Sequence, residues 1–327
     1  MAIGQINLQN LFMKSPRNAG GFLLICRQIS IPLKDKLPFR PFPLFFKGIA
    51  MGAADVVPGV SGGTIAFITG IYEELINSIK GIHFGLLGIW KREGFKAFWQ
   101  ALNGRFLVTL FLGIGVSIAS LASLMKFLLE NYEVLVWAFF FGLILASALV
   151  IGKKVDRSKP LNFVGLIIGT AIGFSITVLS PANTPDTNTF IFFSGAIAIC
   201  AMILPGISGS FILLLLGKYV FIITGLTTLD FRVIGFFAAG AIVGLLSFSR
   251  VLSWLFTNYH QLTISLLTGI MIGSLNKVWP WKQTIETTIN RHGEEIPLIQ
   301  KNVLPGAFSG EPFLITCTGL ALVGFFA

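Results

Sequence analysis

Two short segments place hydroxyls, glycines and a proline inside otherwise apolar chain: DVVPGVSGGT at residues 55–64 and LPGISGS at residues 204–210. A proline and several glycines within a helix free backbone N–H and C=O groups. At membrane depth such groups persist only when buried in protein or lining a wet cavity. The helix that restarts after each break presents unpaired N–H groups and a positive dipole end, which favour an anion. Ser61, Thr64, Ser208 and Ser210 add hydroxyl donors, and Gly62, Gly63 and Gly209 let a ligand approach the backbone. Two such turns facing each other would make a cradle for a small oxyanion such as a phosphate. The plain alternative is that the turns cap helices and pack on each other.

Few charges stand near these turns. Asp55 lies three residues before Pro58, and intramembrane carboxylates tend to be functional. It can bind a coupling proton or hold the turn by accepting backbone N–H groups. Arg250, in LLSFSRVLSW, is about nine residues from the nearer end of its predicted helix. At ~1.5 Å per residue that is roughly 13 Å, beyond easy snorkelling. It is the best candidate for direct contact with an anionic headgroup; the competing reading is a salt bridge, with Asp55 as one partner. Glu73 and Glu74 fall near the end of the first apolar unit, as a gate, a proton carrier or a solvated helix end. Lys218 is expected near the outer mouth of the second, where it would attract anions. Arg105 and Arg232 start helices and read as interface anchors.

The elements that must position these residues are membrane helices. Of 327 residues, 54% are hydrophobic and 12% charged, with a mean hydropathy of +0.82. A soluble domain carries about 25% charged residues. Apolar windows near the ~20 residues of a spanning helix recur as continuous runs, which predicts an all-α polytopic membrane protein. The net charge of +10 clusters at the ends of apolar runs, which suits anionic headgroups rather than nucleic acid. Cys26, Cys200 and Cys317 lack metal spacing, and His83, His260 and His292 are isolated, so neither a metal nor a cofactor is expected. Monomer and homo-oligomer both remain open.

Residues 1–43 read as an amphipathic arm lying at the interface, ending in LPFRPFP. An interrupted unit follows over about 44–79, then a basic amphipathic stretch over 81–104, then spans near 106–128, 133–152 and 161–180. A second interrupted unit covers about 188–226, followed by spans near 233–257 and 261–279, a polar loop over 280–310 and a last apolar run over 312–327. Gly165, Gly169 and Gly173 recur every four residues, a pattern for close helix packing.

The two halves repeat. PGVSGGTIAFITGIY from Pro58 lies over PGISGSFILLLLGKY from Pro205 at an offset of 147, and Gly48 meets Gly195 at the same offset. Farther on, Arg105, Gly113, Gly142 and Asn131–Tyr132 meet Arg232, Gly240, Gly269 and Asn258–Tyr259 at an offset of 127. Asp55 aligns with Met202, so the halves are not equivalent. Charge decides their relative orientation. If each interrupted unit enters and returns on one side, the arm (from Lys14 to Lys47), the stretch from Lys80 to Arg105, and KKVDRSK at 153–159 share one face. The 129–133 corner and SPANTPDTNT, with no Lys or Arg, share the other. Three spans then separate two re-entrant hairpins, and the repeats are inverted. The predicted organisation is the arm 1–43, a first repeat 44–180 and an inverted second repeat 181–327, each repeat being a broken-helix hairpin plus three transmembrane helices. Lys282, Arg291 and Lys301 sit awkwardly outside in this scheme, accompanied by Glu294 and Glu295.

KGIAMGAADVVPGVSGGTIAFITGIYEEL together with ILPGISGSFILLLLGKY resembles the polyprenyl-phosphate transporter family, PopT, over about residues 44–327. The matching motif positions are Asp55, Pro58, Gly59, Ser61, Gly62, Gly63, Thr64, Glu73, Pro205, Gly206, Ser208, Gly209 and Ser210. The resemblance implies a multi-pass protein of the bacterial cytoplasmic membrane, with a cytoplasmic N-terminus. It implies a transporter, not an enzyme, that returns undecaprenyl phosphate from the outer to the inner leaflet for reuse in cell-envelope synthesis. The partner would be the anionic lipid itself; assigning its phosphate to the two turns follows from their chemistry. A transporter of a small soluble anion is the main rival. PGVSGGT also resembles the PGxSRSxxT signature of undecaprenyl-pyrophosphate phosphatase, but Gly62 stands where that chemistry needs an arginine.

Overall fold

The computed structural model describes residues 41–303, apart from 58–59, 84, 157–158, 183 and 290–294. The predicted arm up to residue 40, the Pro58–Gly59 pair and the last apolar run therefore lie outside the described residues. Helix α1 spans Pro41–Val56, starting on a proline whose fixed φ suits the first helical position. After the first bend come α2, Gly62–Ile68, and α3, Tyr72–Lys80. The amphipathic α4, Gly85–Ala101, is kinked at Gly94, where φ is +82°. The long helices α5, Gly104–Asn131, α6, Glu133–Lys154, and α7, Pro160–Val178, close the first half.

The second half repeats this order. It runs α8, Asn188–Ile203; α9, Gly209–Leu215; α10, Tyr219–Thr227; α11, Phe231–Asn258; and α12, His260–Ser274. Helices α8, α9 and α10 begin and end 147 residues after α1, α2 and α3. Helix α11 begins and ends 127 residues after α5, the two offsets read from the sequence. Helices α5, α6, α7 and α11 are long and apolar enough to cross a membrane, and α9 with α10, bent by 114°, can make a fifth, broken span. The chain is thus a helical, multi-pass membrane protein.

Two regions differ from the sequence reading. The helix predicted over 261–279 stops at Ser274. The polar loop predicted over 280–310 contains a two-stranded antiparallel hairpin, β1 Lys282–Ile289 against β2 Glu295–Asn302. Its Thr- and Ile-rich first strand has the β-branched composition that favours pleated structure, a signal too polar to register in a search for apolar windows.

Glycine decides how the helices meet. A Cβ on Gly48 would strike the backbone of Leu110 and Gly113, and one on Gly113 the carbonyl of Phe45. In the second half the corresponding pairs are Gly195 with Phe237 and Gly240 with Phe192. Helices α1–α5 and α8–α11 therefore pack backbone to backbone through the same positions, both pairs running parallel. Gly165, Gly169 and Gly173 of α7 meet Leu262, Leu266 and Ile270 of α12, the close packing their spacing predicts.

Each interrupted unit is a hairpin. The Nζ of Lys47, in α1, donates to the carbonyl of Thr69 at 2.8 Å, so α2 returns toward the start of α1. Ala182 N donates to Leu215 O at 2.8 Å, and Lys218 binds Thr184 O at 2.5 Å, which returns α9 to the start of α8. Helix α11 relates the two hairpins. Asn188, opening α8, accepts from Arg232 Nε at the N-terminal end of α11, at 2.6 Å. In α3, Tyr72 packs its ring on Phe256, and Lys80 Nζ donates to Ser253 Oγ at 3.0 Å, both near the C-terminal end of α11.

Candidate functional site

The two bends meet. Ser61 Oγ donates to Met202 O at 2.7 Å, across 141 residues of chain, and Gly206 N donates to Thr64 Oγ1 at 2.8 Å. Gly63 is needed here: a Cβ would collide with the carbonyl of Ile203. The juncture lies within the main apolar core, among Val57, Val60, Ile203 and Ile207.

The bends differ in what they leave free. In the first, Ser61 caps α2, its Oγ accepting from Gly63 N at 3.0 Å while donating to Met202. Asp55 Oδ1 accepts from Gly62 N at 2.7 Å, the holding role the sequence offers as one of two readings. A Cβ on Gly62 would come within 2.5 Å of the same carboxylate. Ser61, Gly62, Gly63 and Thr64 are all buried. The first bend is closed, its donors serving its own helix and the opposite bend.

In the second bend Ser208 opens α9 without a side-chain cap, and Ser208 Oγ lies 2.8 Å from Ser210 Oγ. Gly209 sits against Ala198 and Met202, leaving no room for a side chain. Gly206, with φ at +90°, makes the turn, a conformation L side chains rarely adopt. The asymmetry follows from aligned residues. Thr64 corresponds to Phe211, which has no hydroxyl to engage, and Asp55 corresponds to Met202, which has no carboxylate to cap with. A narrow cleft opens at this bend, lined by Gly206, Ser208 and Phe211 together with Thr177, Ser274 and Lys277.

The remaining predicted residues lie elsewhere. Lys218 is 1% exposed and pairs with Asp186 while binding Thr184 O, so its charge is committed to holding the α9–α10 break against the segment before α8. Glu73 bonds through Oε1 to Nε2 of His260 at 2.8 Å, an exposed pair joining α3 to the first residue of α12. Glu74 accepts from Asn103 at 3.1 Å. Arg250 is exposed; Nη1 donates to Leu246 O at 3.1 Å and Nη2 to Ile82 O at 3.5 Å. Among the described residues no bond joins Arg250 to Asp55 or to either bend.

Sequence reasoning missed two lysines. The Nζ of Lys277, just past α12, stands 4.3 Å from the ring centre of Phe211, two residues after Gly209 in α9. Lys282 Nζ stands 3.9 Å over the Trp137 ring, and Trp137 Nε1 donates to Glu133 at 3.1 Å. Burial lowers the Lys277 pKa below its ordinary value. Burial first, then the neighbouring Lys277 charge, pushes Lys282 down to about 7 against the pull of Glu133. Lys277 fell at the end of the span predicted over 261–279 and Lys282 in the stretch read as polar loop over 280–310; the aromatic flanks in WPWK were the available signal.

A family model described as undecaprenyl phosphate translocase-like matches residues 51–296. A Vibrio cholerae protein named polyprenyl-phosphate transporter is 49% identical over 264 residues, covering 81% of this chain and 86% of that one. A Staphylococcus aureus protein of the same name is 33% identical over 252 residues, covering 72% and 84%. No solved structure matches the chain.

Proposed function

Because the chain belongs to the undecaprenyl phosphate translocase-like family, we infer that it carries undecaprenyl phosphate from the outer to the inner leaflet of a bacterial cytoplasmic membrane. The observation that carries this reading is the direct bonding of two broken-helix bends within the apolar core, through Ser61–Met202 and Thr64–Gly206. A lipid phosphate needs polar backbone and hydroxyls for its head at membrane depth, and apolar helix faces for its tail. Discontinuous helices near the midplane supply the first in many transporters. The exposed apolar residues of α7, among them Leu161, Phe163 and Ile167, supply the second.

The hairpins act as re-entrant elements of inverted repeats. Their opposed approach supports this: α8 starts beside one end of α11, the first hairpin packs beside the other, and both end at the shared juncture. The headgroup enters at the second bend, where the Ser208 side chain has no capping role, and moves beside the closed first bend, which holds the juncture through Ser61 and Thr64. It leaves toward Arg250, an exposed guanidinium on an apolar helix. The chain acts as a transporter and not a hydrolase: Gly62 packs on Asp55, where a phosphatase-like signature would place an arginine.

A membrane potential negative inside opposes inward movement of an anion by ~2.3 kcal/mol per charge per 100 mV. Co-transport of a proton offsets this, with Asp55 or the Glu73–His260 pair as carrier. Leaflet-resolved transport in proteoliposomes tests the reading. Undecaprenyl phosphate should move inward, faster with an inward proton gradient, while polyprenol should not. Equal movement of both lipids, or efficient uptake of inorganic phosphate alone, would overturn it in favour of a leak or a soluble-anion carrier.

A further inference from the structure

Lys277 and Lys282 place two amines in a partly buried setting where, among the described residues, neither has an ion-pair partner to stabilise its charged form. Each ammonium instead rests on an aromatic face, Lys277 on Phe211 and Lys282 on Trp137. Cation–π contact compensates a desolvated ammonium only partly. Two like charges held near each other without a carboxylate to neutralise them raise the free energy of the empty site. Glu133 attracts Lys282 through space but is itself engaged by Trp137. Such an arrangement is stabilised when an anion arrives.

The place where an anion would arrive is defined. Lys277 lines the same cleft as Gly206, Ser208, Thr177 and Ser274, the last three of which offer hydroxyls. The hydroxyls of Thr177 and Ser274 are already oriented: Thr177 Oγ1 donates to Phe174 O and accepts from Asn276 Nδ2, both at 2.7–2.8 Å, and Ser274 Oγ donates to Met271 O at 2.8 Å. Ser208, paired only with Ser210, is the hydroxyl free to turn toward a ligand. Among the described residues no carboxylate lines the cleft.

We propose that Lys277, supported by Lys282, is the cation that receives a phosphate monoester at the second bend, with Ser208 as its hydroxyl partner. This rests on the transport reading above and names the residue that reads the headgroup's charge. The cleft is narrow, so admission of a phosphate swings the Lys277 ammonium off the Phe211 ring and onto the anion. Lys282 stays behind on Trp137 and contributes field rather than contact. A dianion so placed also pulls a proton onto Lys282.

The test is binding to the full-length protein in nanodiscs, with three probes: a short-chain polyprenyl phosphate, the matching polyprenol, and inorganic phosphate. A charge-assisted contact of this kind changes affinity by about tenfold or more. Lys277→Gln should weaken polyprenyl phosphate by about that factor and leave polyprenol unchanged; Lys277→Arg should stay close to wild type; Lys282→Gln should fall between. Lys277→Met, which keeps the stem over Phe211, replaces the glutamine variant if that one fails to fold. Competition by inorganic phosphate at similar concentration would make a free anion the ligand, and its failure to compete makes the lipid headgroup the ligand; both keep the lysine's role. If wild type prefers polyprenyl phosphate to polyprenol and Lys277→Gln does so equally, the lysine assignment is wrong while the transport reading stands. If wild type shows no such preference, the transport reading itself falls.

Discussion

At the scale of single residues, one hydroxyl pattern has two fates. Ser61 and Ser208 occupy the same position of the repeated motif, yet Ser61 is locked between Gly63 and Met202 while Ser208 touches only Ser210. Thr64→Val should therefore act on stability rather than on headgroup contact. It leaves Gly206 N buried without an acceptor, a loss of about 1–3 kcal/mol, visible as a lower melting temperature in detergent. An unchanged melting temperature would mean the bends are not joined through that bond. Asp186→Asn should likewise lower the melting temperature by removing the negative charge that neutralises the buried Lys218 ammonium. If Lys218 served to attract anions instead, Lys218→Met would cut lipid affinity without that thermal loss. The motif residues were legible because hydroxyls and glycines are conspicuous in apolar chain. Their partners were not, because Thr64 and Gly206 are 142 residues apart and no local pattern encodes a contact of that span. Arg250 shows the same limit: its depth along the helix could be counted, but the face it takes, beside Ile82, could not.

At the scale of elements, glycine sets the distances between helices. Gly169→Ala would drive a Cβ into the carbonyl of Leu266, and Gly240→Ala one into Phe192. Each should destabilise by about 1–3 kcal/mol or more, since backbone cannot yield as a side chain does. Gly115→Ala and Gly235→Ala, where a Cβ meets nothing, should leave the melting temperature unchanged or slightly raised in the same assay. An equal rise at both kinds of site would show that helix propensity, not packing, governs these positions. The helix boundaries and the two repeat offsets were readable because long apolar runs and repeated Pro–Gly breaks survive without tertiary context. The β1–β2 hairpin was not, since its strands are polar and its pairing gives no apolar period. That hairpin carries Lys282, whose pKa of about 7 lies below the ordinary lysine value. Between those two values the unfolded chain binds more protons than the folded one, so stability should rise with pH across that window and be lost as pH falls toward 7. Lys282→Met should flatten the rise in a series of melts from pH 7 to about 10; an identical slope would remove Lys282 as its source.

At the scale of the whole molecule, two half-size units converge on one juncture, and the function proposed needs both. The first bend is closed and bonded to the second; the second, whose buried Ser208 has Ser210 as its side-chain partner, is the proposed place of the headgroup. A single hairpin would offer an anion cradle to one leaflet only. In the proposed reading, opposed hairpins would give a carrier lipid a path from one face to the other while its tail stays outside. The most direct test is leaflet-resolved transport of undecaprenyl phosphate by proteoliposomes holding wild type, Ser208→Ala or Arg250→Ala, with folding checked by thermal melt. Both variants should stay folded and lose most inward transport, Ser208→Ala by failing to take up the headgroup and Arg250→Ala by failing to release it inside. Folded variants that move the lipid at the wild-type rate would contradict a phosphate path through the joined bends.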